Sequence, residues 1–146
     1  MKKLIKNYTT DIPASKTIVE IQNLLGSNGA TGVATEYENG LVKTIFFKIK
    51  LQDRELPFRL PARPESVYNA LFRGMHGEWT YKEQRMEKAT NIAWRICKTW
   101  LEAQITLINL QQAKIEEVFL PYLVMGGNKT LYEVMQGNQF LLPSGQ

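Results

Sequence analysis

A two-residue turn, Asn39-Gly40, constrains the fold of this chain more than any other local feature. Both residue types adopt positive φ angles readily, and the pair is the strongest short-range signal for a β-hairpin. It lies between residues 31–38 and 41–51, and both segments have the composition of strands. The sequence therefore predicts an antiparallel hairpin.

Side chains alternate along the second strand, which predicts one packed face and one partly solvated face. With Lys43 as an exception, the packed face is expected to carry Leu41, Ile45, Phe47, Ile49 and Leu51. The solvated face is expected to carry Val42, Thr44, Phe46, Lys48 and Lys50.

A third strand is predicted after a turn at residues 52–55, with Leu56 and Phe58 on one face. Pro57 cannot donate a hydrogen bond to a neighbouring strand, so this strand should lie at an edge of the sheet. Pro61 ends the strand, and Pro64 suits the first turn of a following helix.

Helices are predicted before and after the strands. The first should run from about residue 16 to 25, with Ser15 as its cap and Gly26 at its end. A second should begin at Pro64. A short C-terminal helix should begin at a capping box formed by Thr130 and Glu133.

One long helix is predicted from a capping box at Thr80 and Glu83 to about Gln112. Its apolar residues recur in steps of three and four, as in a coiled coil. This heptad-like seam comprises Met86, Ala89, Ala93, Ile96, Trp100, Ala103, Leu107 and Leu110. A second stripe beside it contains Trp94 and Cys97, so we expect the helix to cover the sheet and to form a homodimer interface.

The order of these elements predicts an α+β fold: a three-stranded antiparallel meander packed under helices, with one long central helix. A chain of 146 residues fits a single domain. Within it we expect an N-terminal arm (1–12), a helix–sheet–helix half (13–73) and a helical half (80–146).

The composition argues against several classes of protein. The chain has no run of 18 apolar residues and no apolar signal-peptide core, so we expect a cytoplasmic protein without a membrane partner. The single cysteine, Cys97, excludes an intramolecular disulfide, and with a single histidine, His76, we expect no metal site and no cofactor. We interpret Cys97 as a buried inert thiol and His76 as a loop residue.

Positive charge is concentrated in residues 41–63. This segment carries six cations, namely Lys43, Lys48, Lys50, Arg54, Arg59 and Arg63, against Asp53 and Glu55, and its net charge of +4 equals that of the whole chain. Such concentration is typical of a surface for a phosphate-rich partner. Solvation of an open sheet and protection of its edges would explain the same charges, and the sequence leaves both interpretations open.

The functional interpretation assigns roles to seven side chains. Lys48, Lys50, Arg59 and Arg63 would contact phosphates, and Phe46 would stack on a base. Tyr37 would be a second stacking residue if the strand register brings it beside Phe46. Arg95 of the long helix is a further candidate for a phosphate contact.

The segments TEYENG (35–40), PFRLPARPE (57–65), IAWRICKTWLEAQ (92–104) and FLPYLV (119–124) occur together in this chain. Together they resemble a family of small uncharacterised proteins from phages, prophages and integrative elements of Gram-positive bacteria. The resemblance extends from about residue 17 to 143. It implies a mobile-element origin and the host-cell cytoplasm as the setting, and it assigns no catalytic residue.

Two functions follow as the leading hypotheses, ahead of an enzyme and of a structural protein of the virion. The first is non-enzymatic binding of nucleic acid by the basic sheet segment, with single strands as a candidate form. The second is an anti-defence role, in which the protein sequesters a nucleotide signal or binds a host defence protein. A nucleotide pocket would use arginines for bidentate phosphate contacts, with Arg59, Arg63 and Arg95 as the candidates.

Overall fold

The computed structural model describes residues 4–75 and 79–141, with the backbone alone at 79–80. The described helices are α1 (Ala14–Ser27), α2 (Pro64–Phe72), α3 (Trp79–Asn109), α4 (Ile115–Phe119) and α5 (Leu131–Gly137). The strands are β1 (Ala30–Glu38), β2 (Leu41–Leu51) and β3 (Arg54–Arg59), and 3₁₀ turns lie at Leu120–Tyr122 and Gly126–Asn128. The α+β prediction is confirmed. His76 lies outside the described residues.

The three strands form an antiparallel meander in the order β1-β2-β3. Asn39 and Gly40 both have positive φ angles, 52° and 79°, as the hairpin prediction requires. β3 is an edge strand, as Pro57 predicted. The carbonyl of Pro57 accepts a hydrogen bond from Val124 N–H at 2.8 Å, so the C-terminal segment runs beside this edge.

A β-bulge makes part of the predicted face assignment of β2 wrong. Glu36 pairs with Thr44 and the next residue, Tyr37, pairs with Val42, so Lys43 is an extra residue without a partner on β1. A bulge of this kind shifts the alternation of the strand by one position.

The shifted alternation places Val42 in the core with Ile45, Phe47 and Ile49, while Leu41 is only half-buried. Lys43 is therefore not a charged exception within a packed face. Lys43 projects from the bulge, where the regular alternation of side chains along a strand is interrupted.

The core lies between one face of the sheet, α1 and α3. The second apolar stripe of α3, which includes Trp94, Cys97 and Leu101, is buried there together with Ile21 of α1. Phe47 and Phe58 stack with their ring centroids 5.4 Å apart. The indole N–H of Trp94 donates to the carbonyl of Val42 at 2.9 Å, next to the bulge.

Two predicted helix caps are not met. α1 begins at Ala14, so Ser15 lies inside the helix, and the Ala14 N–H donates instead to Asn91 Oδ1 of α3 at 2.8 Å. A tertiary contact thus satisfies the amide that a local cap would have satisfied. α3 begins at Trp79, which places Thr80 inside that helix.

Part of the heptad-like seam of α3 packs within the chain, whereas Ala103 and Leu110 are exposed. Ala89 and Ala93 are buried, and Trp100 packs edge-on against Phe119 and Tyr122 at 6.0 and 5.4 Å between ring centroids. The homodimer stays a prediction.

None of the helices in the described residues is long and apolar enough to cross a membrane.

Replacing Trp94 by Phe should lower the free energy of unfolding by about 2–4 kcal/mol, because it leaves the buried Val42 carbonyl without its donor and removes core volume. Trp100→Phe is the matched control, since it keeps an aromatic ring at a half-buried position. Urea denaturation of both variants checks this, and equal losses would contradict the importance of the Trp94 hydrogen bond.

Candidate ligand-binding site

A cavity of about 470 Å³ opens beside the hairpin end of β2. The last paired residue of β3 is Arg59, opposite Phe46, and the Leu60 N–H donates to the Ile45 carbonyl at 3.0 Å. Pro61 then ends the strand, so no described strand pairs with residues 41–44 on this side. The cavity occupies the space that a longer β3 would have filled.

Apolar and aromatic side chains form much of the cavity wall. The hairpin contributes Leu41 and Val42, the segment after β3 contributes Leu60 and Pro61, and α3 contributes Met86. Tyr122 and Tyr132 come from the C-terminal segment. A concave, largely apolar wall of this volume suits a small organic ligand.

Among the described residues, six charged side chains also line the cavity: Lys43, Arg59, Arg63, Glu38, Glu65 and Glu133. Four of them form ion pairs across the wall. Lys43 Nζ lies 3.2 Å from Glu38 Oε2, and Arg59 Nη2 lies 2.6 Å from Glu133 Oε1.

Arg59 is held from several directions. Its Nη2 donates to Glu133 Oε1, and its Nη1 donates to the carbonyl of Asn128 at 3.4 Å. Glu133 is itself fixed by the capping box that the sequence predicted, because its Oε1 accepts the Thr130 N–H at 2.9 Å. A guanidinium has five N–H groups, so donors remain for a ligand on a side chain whose position is already set.

Glu133 is ionised at neutral pH. The hydrogen bond from the Thr130 backbone and the neighbouring Arg59 lower its pKa below the ordinary glutamate value, against an opposing effect of partial burial. Arg59 and the backbone N–H and hydroxyl of Thr130 all donate to Oε1 of Glu133, and no described residue donates to Oε2. Oε2 is therefore an acceptor available to a ligand.

Arg63 differs from Arg59 because it makes no ion pair with any described residue. It caps α2 with its backbone, since its carbonyl accepts the Ser66 N–H at 3.1 Å, while its side chain is exposed at the cavity. The backbone is thus fixed and the guanidinium is free to meet a ligand.

The predicted basic surface of the sheet is electrically mixed. Lys48 and Lys50 are exposed on the face turned away from α1 and α3, which we call the open face and which includes Phe46. The open face also carries Glu36 from β1 and Glu55 from β3, as their cross-strand pairing shows, while Glu38 and Arg59 extend from its margin to the cavity wall. Interleaved carboxylates weaken its attraction for a polyanion.

Tyr37 does not lie beside Phe46. Tyr37 pairs with Val42, which faces the core, whereas Phe46 pairs with Ala34 three residues earlier on β1. Residues an odd number apart on a strand point to opposite faces, so the register does not assemble a two-aromatic platform.

Arg95 lies away from the cavity and joins α3 to α1. Its Nη1 is 2.9 Å from Glu20 Oε2, which Lys98 Nζ also approaches at 2.5 Å. Lys98 and then Arg95 lower the pKa of Glu20. The structure therefore brings together only Arg59 and Arg63 of the seven predicted residues at the cavity.

Cys97 is buried in the core, as predicted, and burial raises the pKa of its thiol to about 12. A thiol with such a pKa is a poor nucleophile at neutral pH. Among residues 4–75 and 79–141, no group of three His, Cys, Asp or Glu side chains is placed to hold a metal ion.

Sequence reasoning missed Glu133 as the partner of Arg59, together with Lys43, Tyr122 and Tyr132 as cavity residues. The capping-box pattern identified Glu133 as a helix-start residue but carried no signal for a contact 74 positions away.

Comparison with models of protein families, with curated proteins and with solved structures finds no match to this chain.

Replacing Glu133 by Gln should lower the free energy of unfolding by about 1 kcal/mol at neutral pH, because the partly exposed ion pair with Arg59 is lost. The folded-state pKa of Glu133 lies below its ordinary value of 4.5, so this contribution is present above that pH and disappears as the pH falls through the folded-state value. Denaturant titrations at several pH values check the trend.

Glu55→Gln is the control for this measurement, since Glu55 is exposed and makes no ion pair with a described residue. A loss for Glu133→Gln that does not shrink in acid would show that the charge of Glu133 is not its source.

Proposed function

We propose that this protein binds a nucleotide in the cavity beside β2 and holds it without transforming it. The observation that supports the proposal best is that two arginines line a cavity large enough for a small organic ligand: Arg59, which Glu133 holds in position, and Arg63, which has no ion-pair partner among the described residues. Two arginines can together hold a phosphate through several charge-assisted hydrogen bonds.

The remaining wall suits the rest of a nucleotide. Tyr122 and Tyr132 offer aromatic surface for a base, and Glu133 Oε2 can accept a hydrogen bond from a ribose hydroxyl or an amino group. Tyr122 packs edge-on against Trp100 with 5.4 Å between the ring centroids, which restrains this part of the wall. Rigid contacts reduce the ordering cost of binding.

Simple binding fits the charged groups better than catalysis. The two ion pairs keep Glu38 and Glu133 occupied by cations, and the pKa of Glu133 is shifted away from neutral pH. A general acid or base works best with a pKa near the working pH. The resemblance to mobile-element proteins makes sequestration of a host nucleotide signal the role that we propose for this binding.

Nucleic-acid binding through the open face is the less favoured proposal. Its support is the exposure of Lys48 and Lys50 near Phe46. Glu36 and Glu55 on the same face offset that charge, which is why we place the ligand in the cavity.

Arg63→Ala should weaken nucleotide binding by about tenfold or more, because it removes a charge-assisted phosphate contact without breaking an internal ion pair. Thermal-shift screening of nucleoside phosphates, cyclic di- and trinucleotides and ADP-ribose, followed by isothermal titration calorimetry of the ligands that bind, measures the effect.

Arg54→Ala is the matched control, since Arg54 is an exposed arginine at the far end of β3 and does not line the cavity. The double variant Lys48→Ala/Lys50→Ala tests the open face in the same assay and with a fluorescent oligonucleotide. Unchanged affinity in Arg63→Ala, or binding that depends on the two lysines instead, would overturn the cavity proposal.

A further inference from the structure

The described residues of the cavity wall carry no net charge. Lys43, Arg59 and Arg63 are balanced by Glu38, Glu65 and Glu133. Because Lys43 and Arg59 are already paired with carboxylates, Arg63 is the one cation of the wall without a carboxylate partner among the described residues.

Glu65 is the corresponding free carboxylate. It is exposed, lies two positions after Arg63 in the first turn of α2, and forms no ion pair with a described residue. A ligand phosphate drawn to Arg63 would therefore lie near an anion as well as a cation.

This balance constrains how much negative charge a ligand can bring. A first phosphate gains the free guanidinium of Arg63 and the spare N–H groups of Arg59. Each additional phosphate finds no further unpaired cation on the described wall, and it is repelled by the carboxylate of Glu65, which no described cation neutralises.

We infer that the ligand of this cavity carries a single phosphate group, as a nucleoside monophosphate or a cyclic mononucleotide, and that the charge balance of the wall, with Glu65 as its free carboxylate, selects against polyphosphates. This inference rests on the proposed function and narrows its ligand class. Both ligand forms are nucleosides with one phosphate. That phosphate is a monoester in the nucleoside monophosphate and a diester in the cyclic mononucleotide.

The test measures dissociation constants by isothermal titration calorimetry in buffer without divalent cations, since a bound metal would mask the charge of a polyphosphate. The probes are adenosine and guanosine 5′-monophosphates, their di- and triphosphates, and their 3′,5′-cyclic monophosphates. For the base that binds, the triphosphate should bind at least about tenfold more weakly than the better of the two single-phosphate forms.

Glu65→Gln should reduce that preference by about threefold or more, because it removes repulsion from the additional phosphates while leaving both ion pairs of the wall intact. Glu55→Gln, on the open face, should leave the preference unchanged. The comparison of monoester with cyclic diester then identifies which single-phosphate form the cavity takes.

The outcomes distinguish a failure of the single-phosphate inference from a failure of nucleotide binding itself. A triphosphate that binds as tightly as the single-phosphate forms, or a preference that survives Glu65→Gln undiminished, overturns this inference and leaves nucleotide binding in place. Binding of none of these probes or those of the wider nucleotide screen overturns the proposed function, and the inference with it.

Discussion

The hydrogen bond from Trp94 to the Val42 carbonyl ties together the two features on which the candidate site depends. One is the bulge at Lys43, which turns Val42 inward and Lys43 away from the core. The other is the fixed distance between α3 and the hairpin end of β2. A fully buried indole with its only donor satisfied is a strong constraint on both, so this contact holds the cavity wall where the sheet stops being three strands wide.

The sequence predicted the elements of this fold well because their signals are local. Asn39-Gly40 specifies a turn through φ angles, Pro57 specifies an edge through its missing donor, and Pro64 starts α2 through its fixed φ. The faces of β2 were less predictable at Val42, because a bulge arises from how two strands twist and pair. Ser15 failed as a cap for a similar reason, since Asn91 of a distant helix took its place.

The candidate site was predictable only in part. Arg59 and Arg63 stand out in the sequence as cations beside prolines, and both line the cavity. A charge count along residues 41–63 could not include Glu36, Glu38 or Glu133, which approach from outside that segment. A segment with a net charge of +4 in sequence is therefore part of an open face and a cavity wall that are close to neutral in space. Charge in a sheet has to be counted across strands, and that requires the register.

The C-terminal segment has a double role that links the stability of the fold to the state of the site. Val124 bonds to the edge of β3, Thr130 forms a bridge to Val124, and α5 begins there with Glu133 directed at Arg59. The contacts that hold α5 against the edge of β3 therefore also position Arg59, and they bring Tyr132 to the cavity wall. A ligand that contacts Arg59 and Tyr132 together would bridge the sheet edge and α5, so its binding energy would also stabilise the docking of the C-terminal segment.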